Sequence, residues 1–262
     1  MKLPEDWDRP DGRNPELCKL FKANSYSPGR YTLNYRLYKP EVRGRVPLVI
    51  YLHGADAVGD DNELQLSMHD IGTMFAKNSW QKEHPCFIIA PQYKSGSYWS
   101  EPQVKMALLL LIKAFSEKES VDEKRIYIYG YSAGGVGTLR IVKENPGLFA
   151  AAVSICGATN AENIDELVKT PLWLVHAEDD TIVNASYHGG SSPWAVHFGS
   201  RDIYERLRDK HPEMFYTEYG AGIMKKRFGV NPHCSWVTVS GPEGEEIREW
   251  LFSKVCHSGG CS

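Results

Sequence analysis

The sequence predicts an α/β fold: a mostly parallel central sheet with helices covering both of its faces. Three observations lead there. Apolar runs of strand length recur at residues 46–52, 87–90, 151–155 and 171–176 and read as strands buried on both faces. Between the strands lie segments of helical character, chiefly 101–119 and 133–144. Strands that alternate with helices form parallel sheets, because each crossover returns the chain to the same edge.

The elements follow in order. Residues 1–30 are polar, punctuated by Pro and Asn, and are expected to wrap the surface. Residues 31–38 alternate as a half-buried strand does. The run 46–52 is the first buried strand, and 87–90 the next. A helix is expected over 101–119, with Ser100 and Gln103 as a capping-box pair and Pro102 in the first turn. Residues 125–129 form a strand, and 133–144 a helix stopped by Asn145-Pro146-Gly147. Strands at 151–155 and 171–176, a helix at 201–210, a strand at 215–219 and a helix at 244–254 complete the pattern. With 262 residues, 42% of them hydrophobic, residues 1–262 are expected to be one domain around one core.

Composition narrows the function. Lys plus Arg number 30 against 33 Asp plus Glu, and the signs are interspersed, which argues against a nucleic-acid partner. The longest apolar run, 106–112, is too short to span a bilayer, so no membrane partner is expected. The N-terminus lacks the apolar stretch of a signal peptide. A soluble, cytoplasmic protein is therefore expected, although a mature secreted form would read the same. Of six cysteines, Cys86 and Cys156 fall in strand-like runs and read as buried free thiols. The tail from Cys256 to Cys261 has room for a metal clip or a small closed loop, but a frayed terminus is the commoner outcome.

The sharpest chemical signal is Gly130-Tyr131-Ser132-Ala133-Gly134-Gly135, placed between an apolar strand and a helix. In Gly-x-Ser-x-Gly the serine occupies a tight strand-to-helix turn that exposes its hydroxyl, and side chains two residues to either side would clash. Ser132 is thus the candidate nucleophile. Acyl transfer develops an oxyanion, which backbone N–H donors stabilise. The donors expected here are Ala133, just after the nucleophile, and Ala55, in the loop His53-Gly54-Ala55-Asp56 that leaves the first buried strand. His53 reads as an orienter of that loop rather than as a base. The acidic stretch 56–61 lacks the ligand spacing of a calcium loop.

A serine nucleophile needs a histidine to take its proton and an acid to orient that histidine, in chain order Ser, Asp or Glu, His. The strand ending near residue 176 runs into Glu178-Asp179-Asp180. Asp180 is the candidate acid, with Asp179 next. His233, in Asn231-Pro232-His233-Cys234-Ser235-Trp236, is the candidate base. His188, His197 and His211 read as surface or loop histidines. Trp236, Trp194 and Trp99 are the candidate substrate-binding residues, with Tyr98 and Tyr187 near the same edge.

Together these stretches resemble α/β-hydrolase serine esterases of the poly(3-hydroxybutyrate) depolymerase, feruloyl-esterase and "predicted peptidase" group. The similar stretches are Tyr35-Arg36-Leu37-Tyr38-Lys39-Pro40, Leu52-His53-Gly54-Ala55, Gly59-Asp60-Asp61-Asn62, Ala90-Pro91-Gln92, the Ser132 motif and His233-x-x-Trp236. The resemblance implies the α/β-hydrolase fold, a Ser132–Asp180–His233 triad, no cofactor and no metal. It also implies hydrolysis of a small acyl, acetyl or feruloyl ester, including esters on plant saccharides, so that the partner is a small-molecule or oligosaccharide ester. A serine peptidase or an acyltransferase would use the same triad, and a non-catalytic binding module is the remaining alternative. Two loops depart from the pattern: 186–199, and 220–232 with Lys225-Lys226-Arg227. Both are expected at the catalytic edge, as a lid or a substrate platform, and the basic triplet as a lure for acidic substrates or a solvated surface.

Overall fold

The computed structural model describes residues 14–187 and 196–256. Its strands are β1 (Lys22–Tyr26), β2 (Leu33–Tyr38), β3 (Val46–Leu52), β4 (Phe87–Gln92), β5 (Val121–Tyr131), β6 (Ala151–Ile155), β7 (Ala158–Thr159), β8 (Leu172–Ala177), β9 (Phe198–Gly199) and β10 (Met214–Tyr219). The helices are α1 (Pro15–Lys19), α2 (Leu64–Ser67), α3 (Asn78–Glu83), α4 (Pro102–Lys118), α5 (Ala133–Glu144), α6 (Ser200–Leu207), α7 (Trp236–Ser240) and α8 (Glu245–Ser253). The main sheet has eight strands in the order β1-β2-β4-β3-β5-β6-β8-β10, and β7 pairs with β9 in a small ribbon. From β4 to β10 the pairings are all parallel, while β1 and β2 join antiparallel at one edge. This is the α/β-hydrolase fold.

Alternation along the buried strands sets the layers. Leu48, Ile50 and Leu52 point into one apolar cluster with Leu108, Leu111 and Ile112 of α4, Leu139 and Val142 of α5, and Ile203 of α6. Val49 and Tyr51 point into the other, with Phe75, Trp236 of α7, and Ile247 and Leu251 of α8. A strand apolar on both faces is stable only between two such layers. The register then aligns the carboxyl ends. Leu52 lies opposite Gly130, Tyr131 opposite Ile155, Ile155 opposite Val175, and Ala177 opposite Tyr219. The segments after β3, β5, β8 and β10 therefore leave from one edge.

The structure corrects several expectations. Of the segment expected to wrap the surface, residues 1–13 lie outside the described residues; within 14–30, α1 forms, Phe21 is buried, and β1 adds an antiparallel edge strand. The exposed positions of β1 are Lys22, Ala23 and Ser25, so it carries little of the apolar pattern that marks a strand. The helix expected over 101–119 starts at Pro102 with Glu101 as its cap, and no capping box forms between Ser100 and Gln103. Instead the Gln103 amide donates to the Glu101 carboxylate at 3.1 Å. His211, expected at the surface or in a loop, lies in a loop but is buried, with Nε2 donating to the Thr170 carbonyl at 2.7 Å. Cys86 and Cys156 are buried free thiols, as expected, and burial pushes the Cys86 thiol up to about 12. Cys256 takes part in a disulfide. No helix among the described residues is long and apolar enough to cross a membrane.

Candidate active site

Ser132 follows β5 and caps α5 with φ 53° and ψ −121°, a left-handed conformation that costs a non-glycine residue energy. The neighbouring backbone explains the glycines around it. A Cβ on Gly134 would lie 2.0 Å from the Leu52 carbonyl oxygen, and one on Gly130 would lie 2.5 Å from the Gly134 oxygen. The turn closes only because both positions lack side chains.

Three residues distant in the chain meet at this turn. The Ser132 hydroxyl donates to His233 Nε2 at 2.8 Å, and His233 Nδ1 donates to Asp180 Oδ2 at 2.6 Å. The tautomer follows from the carboxylate, which only accepts when ionised. His233 is 1% exposed and Asp180 4%, so the relay works in a dry setting. Asp180 Oδ1 accepts from the backbone amides of Ile182 and Val183, at 2.8 and 3.1 Å. Burial alone would raise the Asp180 carboxyl, but the charge and hydrogen bonds of His233 and His176 outweigh it and hold the group well below the usual carboxylate range. The neighbouring acids do other work. Glu178 and Asp179 accept from the amides of Ala221 and Gly222, at 3.1 and 2.8 Å, and so tether the loop that leads to His233.

Ala133 opens α5, where the first-turn N–H groups have no partner within the helix. Ala55 opens a 3-10 turn, Ala55–Ala57, directly after β3. Both face the same cavity as Ser132, a space of about 960 Å³. His53 holds the strand end beside them: Nδ1 donates to the Gly54 carbonyl at 2.6 Å and Nε2 accepts from the Tyr93 amide at 3.4 Å. Burial lowers its pKa to about 4, so the ring stays neutral.

Trp99 lines the cavity, with its indole N–H donating to the His53 carbonyl at 3.0 Å, and Tyr98 lies beside it. Trp236 is placed differently from the expectation of a substrate contact. It is buried behind His233, edge-on to the imidazole at 5.7 Å, and is not on the cavity wall. Trp194 and His188 lie outside the described residues. Lys225, Lys226 and Arg227 sit in a π-helical turn away from the cavity, and Arg227 pairs with Glu243 at 3.2 Å.

Three partners of the site went unread in the sequence. Asp56, next to Ala55, accepts from Tyr131 Oη and His69 Nε2, both at 2.6 Å. Burial opposes its charge, but these hydrogen bonds prevail and keep its carboxyl below the ordinary value. This network ties the loop after β3 to the residue before the nucleophile. His176 adds a second imidazole to Asp180, its Nε2 donating to the Val183 carbonyl at 2.8 Å and lying 3.2 Å from Asp180 Oδ2. Arg140 reaches the cavity from two turns along α5. Only Tyr131, inside the serine motif, carried any local signal; the others become visible when the sheet brings distant segments together.

Fold and site together define an α/β hydrolase with a serine–histidine–aspartate relay. Comparison with known proteins agrees on that class. Residues 107–180 match the prolyl oligopeptidase family, Peptidase_S9. No curated protein matches the chain. Among solved structures, a thermostable esterase is 33% identical with a TM-score of 0.82, over 91% of this chain and 64% of that one. The chain thus spans a little under two thirds of that esterase. An acylaminoacyl peptidase from Pyrococcus horikoshii shares the fold at 15% identity and a TM-score of 0.60, over 90% of this chain and 41% of that one. A fluorophosphonate-binding serine hydrolase from Staphylococcus aureus does so at 15% identity and a TM-score of 0.61, over 88% of this chain and 98% of that one.

Proposed function

We propose that this protein is a serine carboxylic-ester hydrolase working through an acyl-enzyme on small acyl, acetyl or feruloyl esters, soluble saccharide esters among them. The observation that carries the reading is the continuous relay from Ser132 through His233 to Asp180, at 2.8 and 2.6 Å, opening on a cavity. Ser132 Oγ attacks the ester carbonyl while His233 Nε2 takes its proton. The developing oxyanion accepts hydrogen bonds from the Ala55 and Ala133 amides, each worth about 3–4 kcal/mol in such sites. The imidazolium, steadied by Asp180, then returns its proton to the leaving alcohol. Water, deprotonated by the same ring, cleaves the acyl-enzyme and restores the Ser132 hydroxyl. The 33% identical esterase supports this choice of substrate bond.

A peptidase is the second reading. It is favoured by the prolyl oligopeptidase match over residues 107–180 and uses the same relay. The test pairs an ester with an amide of the same acyl group. The ester is expected to turn over and the amide to lag far behind. A fluorophosphonate should label Ser132, and Ser132→Ala should lower ester turnover by about 10⁴-fold or more. Undiminished hydrolysis by that variant would reject the assignment, and faster amide than ester cleavage would favour the peptidase.

A further inference from the structure

The two oxyanion donors of the proposed reaction, the Ala55 and Ala133 amides, belong to segments that leave different strands. The β3–β5 ladder ends at Leu52 opposite Gly130, and each donor lies three residues beyond that last pair. Sheet pairing alone therefore does not fix the distance between them. Past the ladder, side chains take over. A Cβ on Gly54 would meet the Tyr131 ring at 2.4 Å and Asp56 Oδ1 at 3.0 Å, so the backbone just before Ala55 is lodged between these two groups. The groups are joined to each other, with Tyr131 Oη donating to Asp56 Oδ1 at 2.6 Å. Asp56 directly follows Ala55, and Tyr131 stands two residues before Ala133. One hydrogen bond thus bridges the two donor segments.

The bridge is itself braced. Asp56 Oδ2 accepts from His69 Nε2 at 2.6 Å, and the His69 ring sits edge-on to Tyr131 at 5.4 Å and 4.9 Å from Trp236. The Asp56 side chain is 4% exposed and that of His69 2%. Hydrogen bonds to an ionised acceptor are short and strong, more so out of water. The arrangement also carries a cost, because Asp56 lines the cavity and a carboxylate beside a developing oxyanion repels it. Donors on both oxygens draw that charge toward Tyr131 and His69. We infer that the Tyr131–Asp56 hydrogen bond, backed by His69, is the strut that sets the span of the oxyanion hole, which makes these three positioning residues for the reaction. They act through the Ala55 and Ala133 amides. The inference rests on the serine-hydrolase chemistry proposed above, and it holds for an ester or an amide alike, since both pass through an oxyanion.

The test begins with Tyr131→Phe, which removes one oxygen and keeps the ring that packs on Gly54. Rates are taken per site labelled to completion by a fluorophosphonate, so misfolded protein does not enter. A misplacement of about 1 Å in such a site costs about 100-fold. In the variant, kcat for p-nitrophenyl acetate should fall about 10- to 100-fold while KM changes less than about twofold. A trifluoromethyl ketone forms a hemiketal as Ser132 Oγ adds to its carbonyl and His233 takes the proton, which places an oxyanion in the hole. Its affinity should fall by the same factor as kcat. Asp56→Ala should lose as much as Tyr131→Phe, and combining the two should cost nothing further, because each removes the same strut. Asp56→Asn keeps an acceptor for the phenol and should recover most of the kcat. A Tyr131→Phe kcat within about threefold of wild type, a loss confined to KM, losses that multiply in the double variant, or an Asp56→Asn no better than Asp56→Ala overturns the inference. Should Asp56→Ala not fold, the kcat and ketone measurements on Tyr131→Phe decide alone. Wild-type protein that cleaves neither esters nor amides and takes no label sinks the serine-hydrolase reading and this inference with it. Cleavage of amides in place of esters sinks the esterase reading alone, and the same variants are then compared on the amide. Turnover that Tyr131→Phe leaves intact sinks this inference alone.

Discussion

At the scale of the residue, the site is a set of groups whose protonation is decided by what surrounds them. His53 is the clearest case, because its two ring nitrogens are committed to backbone groups of the loop beside the nucleophile. Its folded pKa is about 4 and its unfolded value about 6.5, through burial. Above pH 6.5 both states leave the ring neutral, so it imposes no pH dependence. As pH falls from 6.5 toward 4, the unfolded chain takes up a proton that the folded ring refuses. Stability must then drop, by up to about 3 kcal/mol from this group. His53→Gln keeps a donor and an acceptor but no titration. Urea unfolding between pH 7 and pH 4 should show the wild-type protein losing about 3 kcal/mol more than the variant. Parallel losses in the two proteins would mean that the ring is protonated in the folded state.

At the scale of the element, the turn from β5 into α5 decides the nucleophile's geometry. A methyl group at Gly134 meets backbone oxygen at 2.0 Å, and neither β3 nor α5 can yield without disturbing the sheet register. Gly134→Ala should therefore cost at least about 3 kcal/mol, the upper range for overpacked cores. The measurement is chemical denaturation beside fluorophosphonate labelling of Ser132. A loss below about 1 kcal/mol with full labelling would show that the turn has slack. This element was legible in the sequence to the residue: a Gly-x-Ser-x-Gly turn bounds the helix at one end and Asn145-Pro146-Gly147 at the other, and α5 spans Ala133–Glu144. The buried strands were legible too, since being covered on both faces leaves a continuous apolar run, as at β3 and β6. β1 was not, because an edge strand with exposed faces needs no such run. The short helices between β3 and β4 escaped as well, at four and six residues too brief to show a period. In the site, Ser132, Asp180 and His233 could be placed because each follows a strand at one edge. Arg140, His176 and the Asp56–Tyr131–His69 network lay beyond reach, since their significance comes from contacts between elements.

At the scale of the whole molecule, the relay exists only while the sheet does. Residue 132 follows β5, residue 180 follows β8, and residue 233 returns to the edge after β10. Nothing local holds these three together; parallel pairing through β6 supplies the spacing. The last part of the relay along the chain is His233, which follows edge strand β10. Yet His233, Cys234 and Trp236 are all at most 1% exposed, and Cys234 and Trp236 belong with the layer formed by α7 and α8. Two helical layers grip the same strands, so loss of either exposes the apolar face of the sheet. That coupling argues for one cooperative transition in which the active geometry and the fold vanish together. In urea, ester turnover, tryptophan fluorescence and far-ultraviolet circular dichroism should give coincident midpoints. The test also bears on the expectation that residues 1–262 form one domain. Turnover lost at clearly lower urea than the circular dichroism signal would instead place His233 on a separately melting segment. A biphasic dichroism curve would divide the chain into independent units.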